Sequence, residues 1–144
     1  MEHDTFRDAR RGLNPHPCPF EKAILAHCCT CALAVRLSIS ERETVACESA
    51  PARETCARLR AELRQNSLFA LKVPPGTPLP HAKEMKVMCG GLSGLQQEVE
   101  PADEVADVHA LVAAALAKFG SLEALPYSRI MPAVAAFEAR RRRS

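Results

Sequence analysis

The residues of this chain that could do chemistry are its seven cysteines. A thiolate is a nucleophile and a metal ligand, and two thiols can join as a disulfide. The last cysteine is Cys89, and the others lie close together in the sequence: Cys18, Cys28, Cys29, Cys31, Cys47 and Cys56. This density predicts thiols that are buried, oxidised in pairs or bound to a metal.

The amino-terminal segment argues against oxidation in pairs. Residues 1–17 are charged and contain proline, and they hold no apolar run of signal-peptide length. No later stretch reaches the ~18 consecutive apolar residues of a membrane span. We therefore expect a cytoplasmic protein without a membrane span, in a compartment that keeps thiols reduced. The odd number of cysteines points the same way, which leaves metal binding or burial.

Helix geometry predicts which thiols could meet. If a turn at residues 38–40 folds a second helix back on the first, Cys31 and Cys47 lie level with each other. Cys29 comes from the same turn as Cys31. A further turn near residue 49 would return Cys56 to the same region. These four thiols form the centre of the predicted metal site.

Cys18 and Cys89 complete the predicted ligand set, because both lie at predicted helix ends. Six candidates exceed the four ligands of one ordinary cluster. On a continuous helix, Cys18 would also lie about 16 Å from Cys29, too far for both to bind one cluster. Either the helix breaks at residues 28–31, the cysteine run, or there are two metal centres, or some of the six cysteines support the site without binding metal. The sequence leaves these alternatives open.

Cys28 is the cysteine that we leave out of the predicted ligand set. It shares an apolar stripe with Ile24, Leu25 and Val35, where a free cysteine behaves as a small buried apolar residue. In the rival interpretation, Cys28 and Cys31 form a Cys-x-x-Cys pair, which would suit zinc or dithiol exchange.

The spacing of the thiols favours an iron–sulfur cluster over zinc. Zinc sites are typically built from two closely spaced ligand pairs, whereas this chain has one close group and several isolated thiols. Iron–sulfur sites tolerate irregular spacing more readily. The predicted cofactor is therefore an iron–sulfur cluster of the [4Fe–4S] type, with zinc as the alternative.

The elements that must position these thiols are predicted to be helical. Strand-forming aromatic residues are scarce and helix-forming residues are common, so we expect an all-α fold, a compact bundle of about five to seven short helices. Ser40 to Glu43 reads as a capping box that starts a helix at Glu41. Residues 49–51 should start the next helix, and Gly90 and Gly91 should end a later one just after Cys89.

The predicted organisation is a single domain with two extensions. Residues 1–17 form a flexible segment, residues 18–139 the helical cysteine-rich domain and residues 140–144 a basic tail. The net charge of +2 implies no polyanionic partner by itself. The arginines of the tail could contact nucleic acid, but such a block is more typical of a solvated tail: Arg140, Arg141, Arg142 and Arg143.

No catalytic triad, phosphate loop or dinucleotide motif is present, so catalysis by this chain alone is not expected. The leading hypothesis is a small iron–sulfur protein for electron transfer or redox sensing, with a larger redox protein or oxidoreductase complex as its partner. The alternative is a zinc-stabilised or thiol-based, redox-responsive regulatory module. A helical scaffold with buried free thiols is the third hypothesis.

Overall fold

The predicted all-α class is wrong, because the protein combines helices with a two-stranded antiparallel sheet. The structure is a computed structural model, and it describes residues 14–138. In chain order the elements are α1 (Glu21–Leu25), β1 (Ala34–Ile39), β2 (Arg42–Cys47), α2 (Ala50–Ala70), α3 (His81–Met85), a π-helical turn (Lys86–Gly90), α4 (Gly91–Val99), α5 (Val108–Phe119) and α6 (Tyr127–Ala136).

The helix that was predicted to begin at Glu41 is the second strand of a hairpin. Ile39 pairs with Arg42, so Ser40 and Glu41 form a two-residue turn. Both turn residues have a positive φ, 49° and 69°, as in the turns that match the twist of paired strands. The apolar residues of β1 also alternate with its other residues, which is the period of a strand: Val35, Leu37 and Ile39.

The first predicted helix, which was expected to run from Cys18 past Cys31, is much shorter. α1 ends at Leu25, and His27 follows with a φ of 63°, which a continuing helix does not allow. The cysteine run therefore lies in a loop between α1 and β1 and not on a helix. Of the alternatives that the sequence leaves open, the structure has the one in which the first helix does not continue through the cysteines.

β2 is bonded on both edges. One edge pairs with β1, and the other contacts the chain before α1: the amide of Cys47 donates to the carbonyl oxygen of His16 at 2.9 Å, and the amide of Cys18 donates to that of Val45 at 2.9 Å. Glu21 is buried beside this edge and accepts hydrogen bonds from the Val45 amide, at 2.8 Å, and from the Thr44 hydroxyl. The segment before α1 is therefore fixed against β2.

The long helix α2 begins where the sequence predicts a helix. The Ser49 side chain accepts a hydrogen bond from the Ala52 amide at 3.2 Å and so caps the helix. Leu59 and Leu63 are fully buried on the face of α2 that packs towards α6 and the π-helical turn. α2 therefore joins the sheet, which it follows directly, to the helical half of the protein.

The glycines after Cys89 do not end a helix as predicted. Gly90 and Gly91 have φ values of −66° and −62°, and the chain passes through them from the π-helical turn into α4. Their role is close packing. A Cβ atom on Gly90 would lie 2.7 Å from the Ala133 carbonyl oxygen and 2.7 Å from the Val134 Cα atom.

Parts of two predicted segments lie outside the described residues. These parts are residues 1–13 of the predicted flexible segment and the whole of the arginine tail. In the part of the chain that the structure describes, we find no helix with the length and apolar character needed to cross a bilayer.

Gly90→Ala should lower the free energy of unfolding by about 1–3 kcal/mol, because the added methyl group meets main-chain atoms of α6 that cannot rotate away. Urea denaturation measures the loss. The matched control is Gly91→Ala, whose Cβ would meet the flexible end of Leu63, at 2.9 Å from its Cδ1 atom. Both substitutions gain the same helix propensity, so an equal loss in the two variants would contradict the packing role of Gly90.

Candidate thiol site

Five cysteines are free thiols, and they come from separate parts of the fold. One precedes α1, two lie in the loop after α1, one ends β2 and one lies in α2: Cys18, Cys29, Cys31, Cys47 and Cys56. The two edges of β2 and the start of α2 bring these parts of the chain together. Five of the six predicted ligands are thus free thiols.

Four of the five thiols are close enough for their charges to interact in every pairing. Burial raises the pKa of Cys56 to about 12, and the negative charges of Cys18, Cys31 and Cys47 as thiolates add to the rise. Burial likewise raises the pKa of Cys18 to about 11, against a hydrogen bond from the Phe20 amide, and the charges of Cys31 and Cys47 contribute. Cys31 and Cys47 interact in the same way. We call these four residues the thiol quartet.

Cys29 lies at the border of the thiol quartet. Its residue is 5% exposed. Burial raises its pKa to about 12, and the charges of Cys18 and Cys31 contribute. A short bridge between Cys29 and Val105 fixes the backbone at this point. Cys29 is therefore a neighbour of two quartet members and lies on the side of the 105–108 segment.

Backbone amides donate hydrogen bonds to the quartet sulfurs. The Phe20 amide bonds to Cys18, and the amides of Leu33 and His109 bond to Cys31. The pKa of Cys31 is raised by burial; the two amides oppose that rise, and the charge of Asp107 adds to it. Because His109 lies in the first turn of α5, the positive end of that helix faces the Cys31 sulfur. These donors would stabilise a thiolate once a cation balances its charge.

The two remaining cysteines form a disulfide. Cys28 of the loop bonds to Cys89 of the π-helical turn, with 5.7 Å between their Cα atoms. We expected reduced thiols throughout, and for Cys28 and Cys89 this expectation is wrong. Cys89 was a predicted ligand and Cys28 a predicted buried residue, but a half-cystine has no thiolate, so either could bind metal only after reduction.

An open groove on the surface reaches one member of the thiol quartet, Cys18. It has a volume of about 810 Å³ and runs between α1 and α2, with Cys18 in its wall. Lys22 and Arg60 line it too, and both contact the Glu84 carboxylate, at 2.9 Å and 3.4 Å. Cys18 is thus the member of the thiol quartet that this groove connects to solvent.

Within residues 14–138, no group of three or more histidine, cysteine, aspartate or glutamate side chains is arranged to hold a metal ion as it stands. No protein-family model, curated protein or solved structure matches this chain.

Removing the disulfide should cost about 2–4 kcal/mol of unfolding free energy, because the bond links residues 61 positions apart and restricts the unfolded chain. The test is urea denaturation of the Cys28→Ala/Cys89→Ala double variant. The wild-type protein in excess dithiol should lose the same amount, and an unchanged unfolding midpoint in both would contradict the bond.

The metal-free protein should lose stability as the pH rises from 9 to about 12. Cys56 has a pKa of 9.0 when unperturbed and about 12 when folded, so between these values the unfolded chain releases the proton that the folded chain keeps. Unfolding free energy measured against pH should therefore fall more steeply for the wild type than for Cys56→Ser. Identical slopes would contradict the burial of this thiol.

Proposed function

We propose that this protein binds an iron–sulfur cluster of the [4Fe–4S] type through the thiol quartet. The observation that supports the proposal is the mutual proximity of four thiols, one from each of four separate chain segments. A [4Fe–4S] cluster takes four cysteine thiolates. The proposed ligands are Cys18, Cys31, Cys47 and Cys56, with Cys29 beside them.

The surroundings of the quartet fit such a group chemically. Burial raises the pKa of Cys18 and of Cys56 and keeps both protonated at neutral pH, so loading would release their protons as thiolates bind metal. When bound, the cluster would supply one-electron transfer. The amides that bond to Cys18 and Cys31 would remain as donors to sulfur, a contact that tunes the reduction potential. The proposal requires the side chains to rotate towards one another on loading.

The supply of one ligand by each segment favours a cluster over zinc. A structural zinc site also takes four thiolates, but typically as two closely spaced pairs. In the quartet the closest pair in sequence is Cys47 and Cys56, which have eight residues between them. Zinc remains the alternative metal for the same four thiols.

The proposed role is electron transfer or redox sensing in the cytoplasm, with a larger redox protein as the partner. Cys18 supports this role, since it lines the open groove and would bring one cluster ligand close to a docked surface. The groove walls carry both charge signs, with Lys22, Arg53 and Arg60 against Glu54 and Glu84. A partner with a mixed polar surface fits this groove better than a polyanion does.

A second candidate function has its own supporting observation. The Cys28–Cys89 disulfide favours a thiol-based, redox-responsive regulatory module, in which the disulfide and not a metal carries the redox change. The two functions differ in whether the protein contains iron and sulfide.

Anaerobic purification should yield a brown protein with iron and acid-labile sulfide in about equal amounts, as a cubane contains them. Alanine at Cys31, Cys47 or Cys56 should remove most of the iron, whereas Cys29→Ala, the neighbouring thiol, should retain most of it. Metal and sulfide analysis of each variant measures this.

Two outcomes would decide against the cluster, and a third would decide against the proposed ligands. Protein that stays colourless and free of iron after anaerobic reconstitution would exclude it. Tightly held zinc without sulfide would favour the zinc alternative. Loss of iron from Cys29→Ala alone would contradict the ligand assignment, since it would make Cys29 a ligand.

A further inference from the structure

We propose that the Cys28–Cys89 disulfide is a thiol–disulfide exchange site, attacked at Cys28 by a dithiol reductant, and that the bond holds the loop that carries Cys29 and Cys31. The first half of the proposal is independent of any metal. The consequence for the thiol quartet rests on the function proposed above.

The two half-cystine residues differ in exposure to solvent. Cys28 lies in the loop after α1 and is partly exposed, whereas Cys89 is 3% exposed within the π-helical turn. Exchange requires a thiolate to approach one sulfur, so access decides which sulfur is attacked. Attack at Cys28 leaves Cys89 as the departing thiolate.

The exchange balances as two successive displacements. One thiolate of the reductant attacks the Cys28 sulfur, so that a mixed disulfide with Cys28 forms and the Cys89 thiolate leaves and takes up a proton. The second thiol of the reductant then attacks the reductant sulfur that is bonded to Cys28. This releases the Cys28 thiolate, which takes up a proton. The pair gains two electrons and two protons, and the reductant becomes a disulfide. A disulfide that forms in the cytoplasm is typically redox-sensing or catalytic, which fits this exchange.

The bond is one of several attachments of the loop between α1 and β1. Others are hydrogen bonds to the 105–108 segment: the Thr30 amide donates to the Val105 carbonyl oxygen at 3.1 Å, and the Val108 amide donates to the Thr30 carbonyl oxygen at 2.9 Å. The Ala32 amide donates to an Asp107 carboxylate oxygen at 3.0 Å. Reduction removes the attachment to the π-helical turn and leaves these hydrogen bonds in place. The loop should then loosen without unfolding.

The order of access is tested with two matched variants of the full chain in metal-free form. Cys89→Ser leaves Cys28 free, and Cys28→Ser leaves Cys89 free. With oxidised glutathione, Cys28 should form a mixed disulfide at least about tenfold faster than Cys89 does, because Cys89 is buried. Peptide mass spectrometry separates these sites from the other thiols, and circular dichroism verifies that each variant is folded. Equal rates, or faster reaction at Cys89, would overturn attack at Cys28.

The exchange itself is tested on the wild type. Excess dithiol should convert the pair to two thiols under native conditions. After removal of the dithiol in acid and unfolding, alkylation should then modify seven cysteines in place of five. Reduction that occurs only after unfolding in urea would overturn the proposal, since the disulfide would then be a buried structural bond.

The loop is tested by hydrogen exchange in the same metal-free protein. Amides of residues 28–32 should exchange at least several-fold faster after reduction, while those of α2 stay unchanged. No change in the loop would overturn its control by the disulfide. In iron-loaded protein, reduction should then speed the loss of iron to a chelator. Protein that takes up no iron in either state would overturn the proposed function, and the exchange and hydrogen-exchange results would still decide on the disulfide and the loop.

Discussion

The thiol site depends on the hydrogen bonds along both edges of β2. On one edge, Cys47 faces Ala34, three residues after Cys31; on the other, the Cys47 amide bonds to His16, two residues before Cys18. Since α2 begins three residues after β2 ends, Cys56 follows within two helical turns. Cys18, Cys31 and Cys56 are thus brought to the strand that carries Cys47. A change that weakens either edge of β2 would separate them.

Polar side chains are buried at β2, which is unfavourable, and hydrogen bonds nearby compensate for their burial. Glu21 is buried beside β2 and Thr44 is buried within it, and burying a carboxylate is unfavourable unless hydrogen bonds satisfy it. Thr44 donates to Glu21, and the Asn14 side-chain amide donates to the Thr44 hydroxyl at 3.0 Å and to the Val45 carbonyl oxygen at 3.1 Å. The charged and polar groups therefore serve to orient the segment before α1. An apolar contact would bury this segment as well, but it would not fix its register, which sets the position of Cys18.

Local signals in the sequence predicted the elements that local interactions determine. Ser49 was correctly placed at the start of a helix, because its side chain caps the helix by accepting a hydrogen bond from the amide of Ala52, three residues later. The segment at Ser40 satisfied the capping-box pattern and the hairpin pattern alike, and pairing with β1 decided between them. The alternation in β1 could have shown this. The role of Gly90 was predicted wrongly. A glycine is needed there because Val134, 44 residues later in the chain, packs against it, and no local pattern contains that contact.

The same limit applies to the thiols. Cys31, Cys47 and Cys56 could be grouped from the order of turns, although the turns join strands and not helices. The neighbour relation between Cys18 and Cys56 and the bond between Cys28 and Cys89 could be found only from the tertiary structure.

The order of the cysteines along the chain also determines the order in which they are synthesised. All four quartet residues precede α4, α5 and α6, and domains form from the amino terminus as the ribosome extends the chain. The whole quartet has therefore been synthesised before Cys89 exists, so in each newly made chain these thiols are present, and Cys28 is unpaired with Cys89, before the disulfide can form.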